Sequence, residues 1–301
     1  MPLPELPFTS RFCTARDGLR LHFRDYGSPE DPGLAVVCLP GLSRTSADFG
    51  PLASALCNGA AGGARRRVLA LDYRGRGLSD YDPDWRNYSL PVENDDILTV
   101  LDAAGVERAV VIGTSRGGLH AMLLSQTRPS LLAGVVLNDI GPALEPDGLA
   151  RIRSYVGKFA PPASEAEAID LLKKGMNRQF TNLGEADWRA YARITFADEE
   201  GRFGLRYDPN LGKATEGANI EPPAEAAWAQ FDRLGDAPLL TIRGGNSDLF
   251  SAKTQAEMAR RHPGAEIYVV EGQGHPPLLI DADSIQWIAD FVAEVESRAA
   301  A

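Results

Sequence analysis

The chain has 301 residues, 44% hydrophobic and 24% charged, a balance that suits a soluble globular protein with ample material for a packed core. Its formal net charge of −10 offers no basic footprint and argues against a nucleic-acid partner. The three cysteines, Cys13, Cys38 and Cys57, are widely spaced and form no C-x-x-C pair, so neither a disulfide framework nor a zinc site is indicated.

The first twelve residues, MPLPELPFTSRF, carry prolines where a signal peptide needs a basic start and a continuous apolar stretch. No apolar run approaches the ~20 residues that span a bilayer, so the expectation is a cytoplasmic protein with no membrane partner. Residues 19–26, LRLHFRDY, alternate as a half-buried strand does. The turn SPEDPG leads into LAVVCL (34–39), a short apolar run that reads as a strand buried on both faces. A loop, PGLSRTSADF, and a helical spacing over 49–57 follow. Then come a buried strand in RRRVLALDY (65–73) and a helix over 91–106 that stops at Gly105. ERAVVIG (107–113) is a strand, RGGLHAMLLSQT (116–127) a helix ending before Pro129, and LLAGVVLND (131–139) a strand again.

Residues 142–232 break this rhythm. They read as helices, PDGLARIRSYVGKF, ASEAEAIDLLKKGMNRQF and EADWRAYARIT, followed by a charged, hairpin-like FADEEGRFGLRYDP. The alternation then resumes: strand PLLTIRG (238–244), helix SAKTQAEMARRH (251–262), strand AEIYVVEG (265–272) and an amphipathic helix over 284–299. The fold class is therefore α/β, a mostly parallel doubly wound sheet flanked by helices. Residues 1–141 and 233–301 form its core, and 142–232 form a helical cap or lid inserted between two strands.

Where strand 107–113 turns into helix 116–127, the chain reads G-T-S-R-G, the G-x-S-x-G pattern of a nucleophile elbow. Small residues two before and two after Ser115 let strand and helix approach closely, so that one hydroxyl is lifted clear of the sheet. A serine hydroxyl needs a base, and the chain has four histidines. His22 lies within a strand and His262 at a helix end. His120 is on the serine's own helix and cannot easily fold back to it. His275, in the loop EGQGHPPLL after a strand, sits where catalytic groups collect in α/β sheets, which makes it the candidate base. The orienting carboxylate has two candidates. Asp248, in RGGNSDLF, gives the order Ser, Asp, His associated with this elbow and is favoured; Asp139, in LNDIGP, also ends a sheet strand. The developing oxyanion needs donors. The backbone N–H of Arg116, directly after the nucleophile, is one, and the N–H of Leu42 in LPGLSR is the other. The Arg116 side chain can either meet a substrate carboxylate or pair with a nearby acid.

Together LPGLSRTSADF, LDYRGRGLSD (71–80), GTSRGG (113–118), RGGNSD (243–248) and GQGHPP (272–277) resemble the α/β-hydrolase superfamily, in its lid-bearing serine-hydrolase branch. The resemblance covers nearly the whole chain outside 142–232. It implies that Asp72, Arg74, Gly75 and Ser79 shape a loop beside the site rather than react. It departs from the usual pattern at Pro40-Gly41, where many members have His-Gly, and at Arg116, where an apolar residue is common. The implied activity is hydrolysis of a carboxylic ester or related acyl bond, such as a lactone or thioester, in a small-molecule substrate. Ser115 carries the acyl group and no metal or organic cofactor is required. Serine at the elbow speaks against the dehalogenase and epoxide-hydrolase relatives, which use aspartate there. Pro276 after the histidine speaks against carbon–carbon bond hydrolases. Acyl transfer remains open, as does a ligand-sensing protein on a hydrolase scaffold.

Overall fold

The computed structural model describes residues 7–59, 63–216 and 224–300; Met1 to Leu6 and a short stretch of the expected lid, 217–223, lie outside the described residues. The strands are β1 (Thr9–Thr14), β2 (Arg20–Tyr26), β3 (Ala35–Leu39), β4 (Val68–Asp72), β5 (Ala109–Thr114), β6 (Leu132–Asn138), β7 (Leu239–Gly244) and β8 (Glu266–Val270). They form one sheet in the order β1-β2-β4-β3-β5-β6-β7-β8. β2 runs antiparallel to both β1 and β4; from β4 to β8 every pairing is parallel.

The helices are α1 (Gly50–Cys57), α2 (Leu90–Ala104), α3 (Arg116–Thr127), α4 (Pro146–Tyr155), α5 (Glu165–Met176), α6 (Glu185–Phe196), α7 (Leu211–Glu216), α8 (Ala224–Asp232), α9 (Ala252–Arg261) and α10 (Ala282–Ala300). Successive side chains of a strand point to opposite faces. On one face Val37, Leu39, Leu71, Val111 and Leu137 pack with Ile97 and Leu101 of α2 and Leu124 of α3. On the other, Val36, Cys38, Val110 and Val136 pack with Leu52 and Leu56 of α1 and Ile288 and Val292 of α10. The sheet is thus covered on both sides, which explains why its central strands are continuous apolar runs.

Two elements differ from the sequence reading. β1 was not expected: TSRFCT is mostly exposed, an outer strand with no core pattern. β2 is buried on both faces beyond Arg20, not half-buried. Its polar positions find partners from distant segments of the chain: Asp72 for His22 (2.7 Å), Glu199 for Arg24 (2.7 Å) and Arg67 for Asp25 (2.8 Å).

Helices α4 to α8 stand between β6 and β7. The charged stretch after α6 makes only isolated bridges, Ala197 to Phe203 and Tyr207 to Arg76. This insertion is stitched to the core by backbone bonds: Glu145 N to Leu249 O (2.9 Å), Gly148 N to Asp248 O (3.1 Å) and Thr181 N to Gly272 O (2.7 Å).

Asp72, at the end of β4, fixes the loops around the carboxyl edge of the sheet. It accepts from His22 Nδ1 (2.7 Å), Ser46 N (2.6 Å) and Leu78 N (3.0 Å). Burial works to raise its pKa, but these donors, His22 foremost, hold it below the ordinary value. Arg74 is clamped bidentately by Asp96 (2.6 and 2.7 Å) and by Asp82 (2.6 Å). Replacing Asp72 by Asn leaves these donors poorly matched in a buried site, and we expect a loss of about 3 kcal/mol, read as a fall in Tm. A carboxylate with a depressed folded pKa stabilises above its unfolded value and loses that contribution as pH falls through the folded one. The Tm gap between wild type and Asp72→Asn should therefore close on acidification below the ordinary carboxylate range.

Candidate active site

β5 ends at Thr114 and α3 begins at Arg116, so Ser115 alone makes the turn, with φ 51° and ψ −116°. That backbone is left-handed and unusual for a side chain with a Cβ. It is possible because the helix lies directly against the strands. A Cβ on Gly117 would run into the carbonyl oxygen of Leu39, and one on Gly113 would lie 2.5 Å from the Gly117 carbonyl carbon. The Ser115 amide is held by Asn138 O (2.9 Å). The hydroxyl lies 2.9 Å from His275 Nε2, and His275 Nδ1 lies 2.8 Å from Asp139 Oδ2. A carboxylate can only accept, so Nδ1 carries its proton and Nε2 is free to accept from Ser115.

The carboxylate on the histidine is therefore Asp139, not the favoured Asp248. The reason is strand adjacency. Thr114 of β5 pairs with Asn138 of β6, so Ser115 and Asp139 each stand one residue beyond neighbouring strand ends. Asp139 sits at φ 55° and accepts from Gly244 N (2.6 Å) and Ser247 Oγ (2.6 Å). The last residue of β7 and the loop after it thus supply donors to the acid rather than the acid itself. Asp248 turns to the insertion and pairs bidentately with Arg151 of α4 (2.6 and 2.8 Å). Although partial burial opposes it, that guanidinium keeps Asp248 below the ordinary carboxylate range.

Among the described residues no acceptor takes the backbone N–H of Leu42 or Arg116. The Arg116 side chain, by contrast, is committed. Its Nε lies 2.6 Å from Glu93 Oε2 and its side chain is only 8% exposed, which removes it as a free receptor for a substrate carboxylate. Glu93 also takes Arg76 (2.8 Å) and His120 Nε2 (3.1 Å). Arg76 Nε in turn donates to Leu42 O (2.9 Å). Burial would raise the Glu93 pKa, but the Arg116 and Arg76 guanidiniums outweigh it and hold the carboxyl far below its ordinary value. Burial pulls His120 down despite its bond to Glu93. His22 is taken by Asp72 and His262 Nε2 meets Ala237 O (3.0 Å).

Two cavities meet at Ser115, Leu42 and Ile152. The larger is lined by His275, Pro276, Arg44, Tyr155 and Tyr191 among others; the smaller by Leu119, Ile140, Leu144, Leu149 and Leu249, with Arg116 at its edge. Of the aromatic and methionine side chains in the insertion, Tyr155, Phe159, Met176, Tyr191, Phe196 and Tyr207 reach the larger cavity. Phe180 and Trp188 pack within the insertion, edge to face.

The sequence profile described as "Alpha/beta hydrolase family" matches residues 36–291. The chain belongs to the alpha/beta hydrolase family. Among its relatives is a 3-hydroxybutyrate-oligomer hydrolase of Cupriavidus necator, 32% identical over 297 residues, covering 96% of this chain and 97% of that one. Esterase YbfF of Escherichia coli is 28% identical over 80% of this chain and 85% of its own length. The crystal structure of an alpha/beta hydrolase from Novosphingobium aromaticivorans superposes with a TM-score of 0.83 at 39% identity, covering 95% of this chain and 98% of that one. Among the described residues no helix is long and apolar enough to cross a membrane.

Within this alpha/beta hydrolase, Glu93 is, among the described residues, the one carboxylate paired with the two buried guanidiniums of Arg76 and Arg116. Glu93→Gln leaves both cations uncompensated, and we expect it to cost about 3–5 kcal/mol of stability, measured by urea denaturation. Glu93→Asp, which keeps the charge, should lose markedly less.

Proposed function

We propose that this alpha/beta hydrolase is a serine esterase acting on carboxylic esters or related acyl bonds. Ser115 is the nucleophile, His275 the base and Asp139 the carboxylate that orients it. The observation that carries the reading is the unbroken line of contacts from Ser115 Oγ to His275 Nε2 (2.9 Å) and from His275 Nδ1 to Asp139 (2.8 Å), opening onto a cavity.

In the reaction, Ser115 Oγ attacks the carbonyl carbon while its proton passes to His275 Nε2. The negative charge that develops on the carbonyl oxygen is met by the N–H groups of Leu42 and Arg116, both without an acceptor among the described residues. Collapse of this intermediate breaks the bond to the leaving oxygen, which takes the proton from His275. A water then gives its proton to His275 and attacks the acyl-serine; as this second intermediate collapses, the bond to Ser115 Oγ breaks, His275 returns the proton to that oxygen and the acid is released. Asp139 steadies the imidazolium that forms twice in the cycle. No step calls for a metal or an organic cofactor. The insertion serves as a cap over the site. The Cupriavidus necator relative, which matches along nearly the whole chain, makes short 3-hydroxybutyrate oligomers the first natural substrates to test.

Ser115→Ala should lower kcat/KM on p-nitrophenyl butyrate and on the 3-hydroxybutyrate trimer by about 10⁴-fold or more. Asp139→Asn should lower kcat by about 10³–10⁴-fold, through loss of the correct imidazole tautomer, whereas Asp248→Asn should stay within about tenfold of wild type. The reverse order would move the acid to Asp248. A fluorophosphonate probe should label wild type and not Ser115→Ala. Labelling without turnover of any ester would favour a sensing protein.

A further inference from the structure

We infer that the two cavities divide the substrate at its scissile bond. The larger takes the leaving alcohol, and Arg44 there binds an oxygen acceptor on it, so the preferred substrates are esters whose alcohol half is itself a hydroxy acid or its ester. The inference rests on the esterase reading of Ser115.

The division follows from proton transfer. The leaving oxygen must come within hydrogen-bond reach of His275 to be protonated. His275, with Pro276, Pro277 and Leu278, lines the larger cavity. The carbonyl oxygen points at the Leu42 and Arg116 amides, and the acyl chain must leave the carbonyl carbon in the remaining direction. This leaves the acyl chain the smaller cavity, which shares Ser115 and Leu42 with the larger one, lacks His275, and is lined by Arg116, Leu119, Ile140, Leu144 and Leu149. Its wall suits hydrocarbon.

The larger cavity carries a fixed polar group. Arg44 lies three residues after Gly41 in the loop that carries the Leu42 amide, and Gly41 packs close to both its aliphatic stem and the nucleophile. A Cβ on Gly41 would lie 3.2 Å from Arg44 Cγ and 3.8 Å from Ser115 Cβ. The guanidinium is held bidentately by Asp48 (2.8 and 2.6 Å), donates to Thr195 Oγ1 of α6, and lies 5.2 Å from the Tyr191 ring centroid. A guanidinium has five N–H donors. Two go to Asp48 and one to Thr195, so each terminal nitrogen keeps an N–H for which no acceptor exists among the described residues. The side chain stays 15% exposed and lines the cavity. Donors held rigid beside apolar walls are ordered in advance of binding, which favours any acceptor that reaches them. Asp48 balances the charge, so the pair selects for an acceptor oxygen rather than gathering anions from solution.

The test uses esters with one acyl group, butanoyl, on three alcohols: methyl 3-hydroxybutanoate, free 3-hydroxybutanoate and 2-hexanol. Wild type should favour either oxygen-bearing alcohol over 2-hexanol by about tenfold or more in kcat/KM. The faster of the two tells whether a neutral carbonyl or a carboxylate is bound. In Arg44→Met/Asp48→Met, which removes both charges together, that ratio should fall toward one. Arg44→Gln, which keeps a donor, should fall between. Each ratio is taken on one enzyme preparation, so a partly unfolded variant does not distort it. Ala214→Phe, which narrows the smaller cavity, should reduce activity on longer acyl chains and leave the ranking of alcohols intact. An alcohol ratio unaffected in the double variant overturns the inference, as does an Ala214→Phe enzyme that discriminates on the alcohol instead. A wild type that hydrolyses all three esters alike sinks this inference alone, whereas one that hydrolyses none sinks the esterase reading with it.

Discussion

The rest of the site depends on one strained residue. Ser115 at φ 51° carries a backbone conformation that costs about 1–3 kcal/mol, and it persists because its surroundings allow no other. The helix that follows lies so close to β3 and β5 that Gly113 and Gly117 have no room for a side chain. Asn138 completes the restraint. Its carbonyl holds the Ser115 amide, while its buried side chain donates to Thr114 Oγ1 (3.1 Å) and to Pro277 O (3.0 Å). One asparagine thus fixes the strand before the serine, the serine itself and the loop that carries His275.

A second level of control is electrostatic and lies beneath the surface. Glu93 binds Arg116 directly and reaches Leu42 through Arg76. The two residues whose amides face the proposed oxyanion site are therefore tied to one buried carboxylate. Burying such charges gains little net stability over a well-packed apolar core, but it defines distances that apolar packing leaves loose. At the end of β4 Asp72 acts in the same way, gathering His22, Ser46 and Leu78.

Much of this was legible in the sequence, and the failures have physical reasons. Strand and helix periodicity located the sheet from β2 to β8 and the helix behind Ser115, because each element buries its own apolar stripe. Ser115 and His275 were legible because each sits in a local pattern with a stated structural need. The carboxylate was not. Asp139 and Asp248 both follow sheet strands, and chain order cannot say which one faces the imidazole ring. That depends on β6 lying beside β5 and on Ser247 turning its hydroxyl to Asp139. The polar residues of β2 misled for a related cause. Their partners, Asp72, Glu199 and Arg67, are remote in sequence, so a strand buried on both faces looked half-exposed. Glu93 was invisible as an organiser, since a lone glutamate in a helix ordinarily faces water.

The displaced aspartate shows how the insertion is joined to the chemistry. Asp248 and Arg151 form a bidentate pair across the boundary between core and insertion. Nearby, Gln179 accepts from the His275 amide (3.3 Å) through its side chain, and its backbone carbonyl accepts from Asn246 Nδ2 (2.9 Å). Arg44 reaches across to Thr195 on the far side of the cavity. The insertion therefore does not rest on the core through apolar contact alone. The Arg151–Asp248 bonds that cross this boundary are charge-assisted, and such bonds are directional and stronger than neutral ones. The insertion thus meets both the loop that carries His275, through Gln179, and the loop after β7, through Arg151, and the residue that chain order placed in the reaction instead pairs across the boundary between core and insertion.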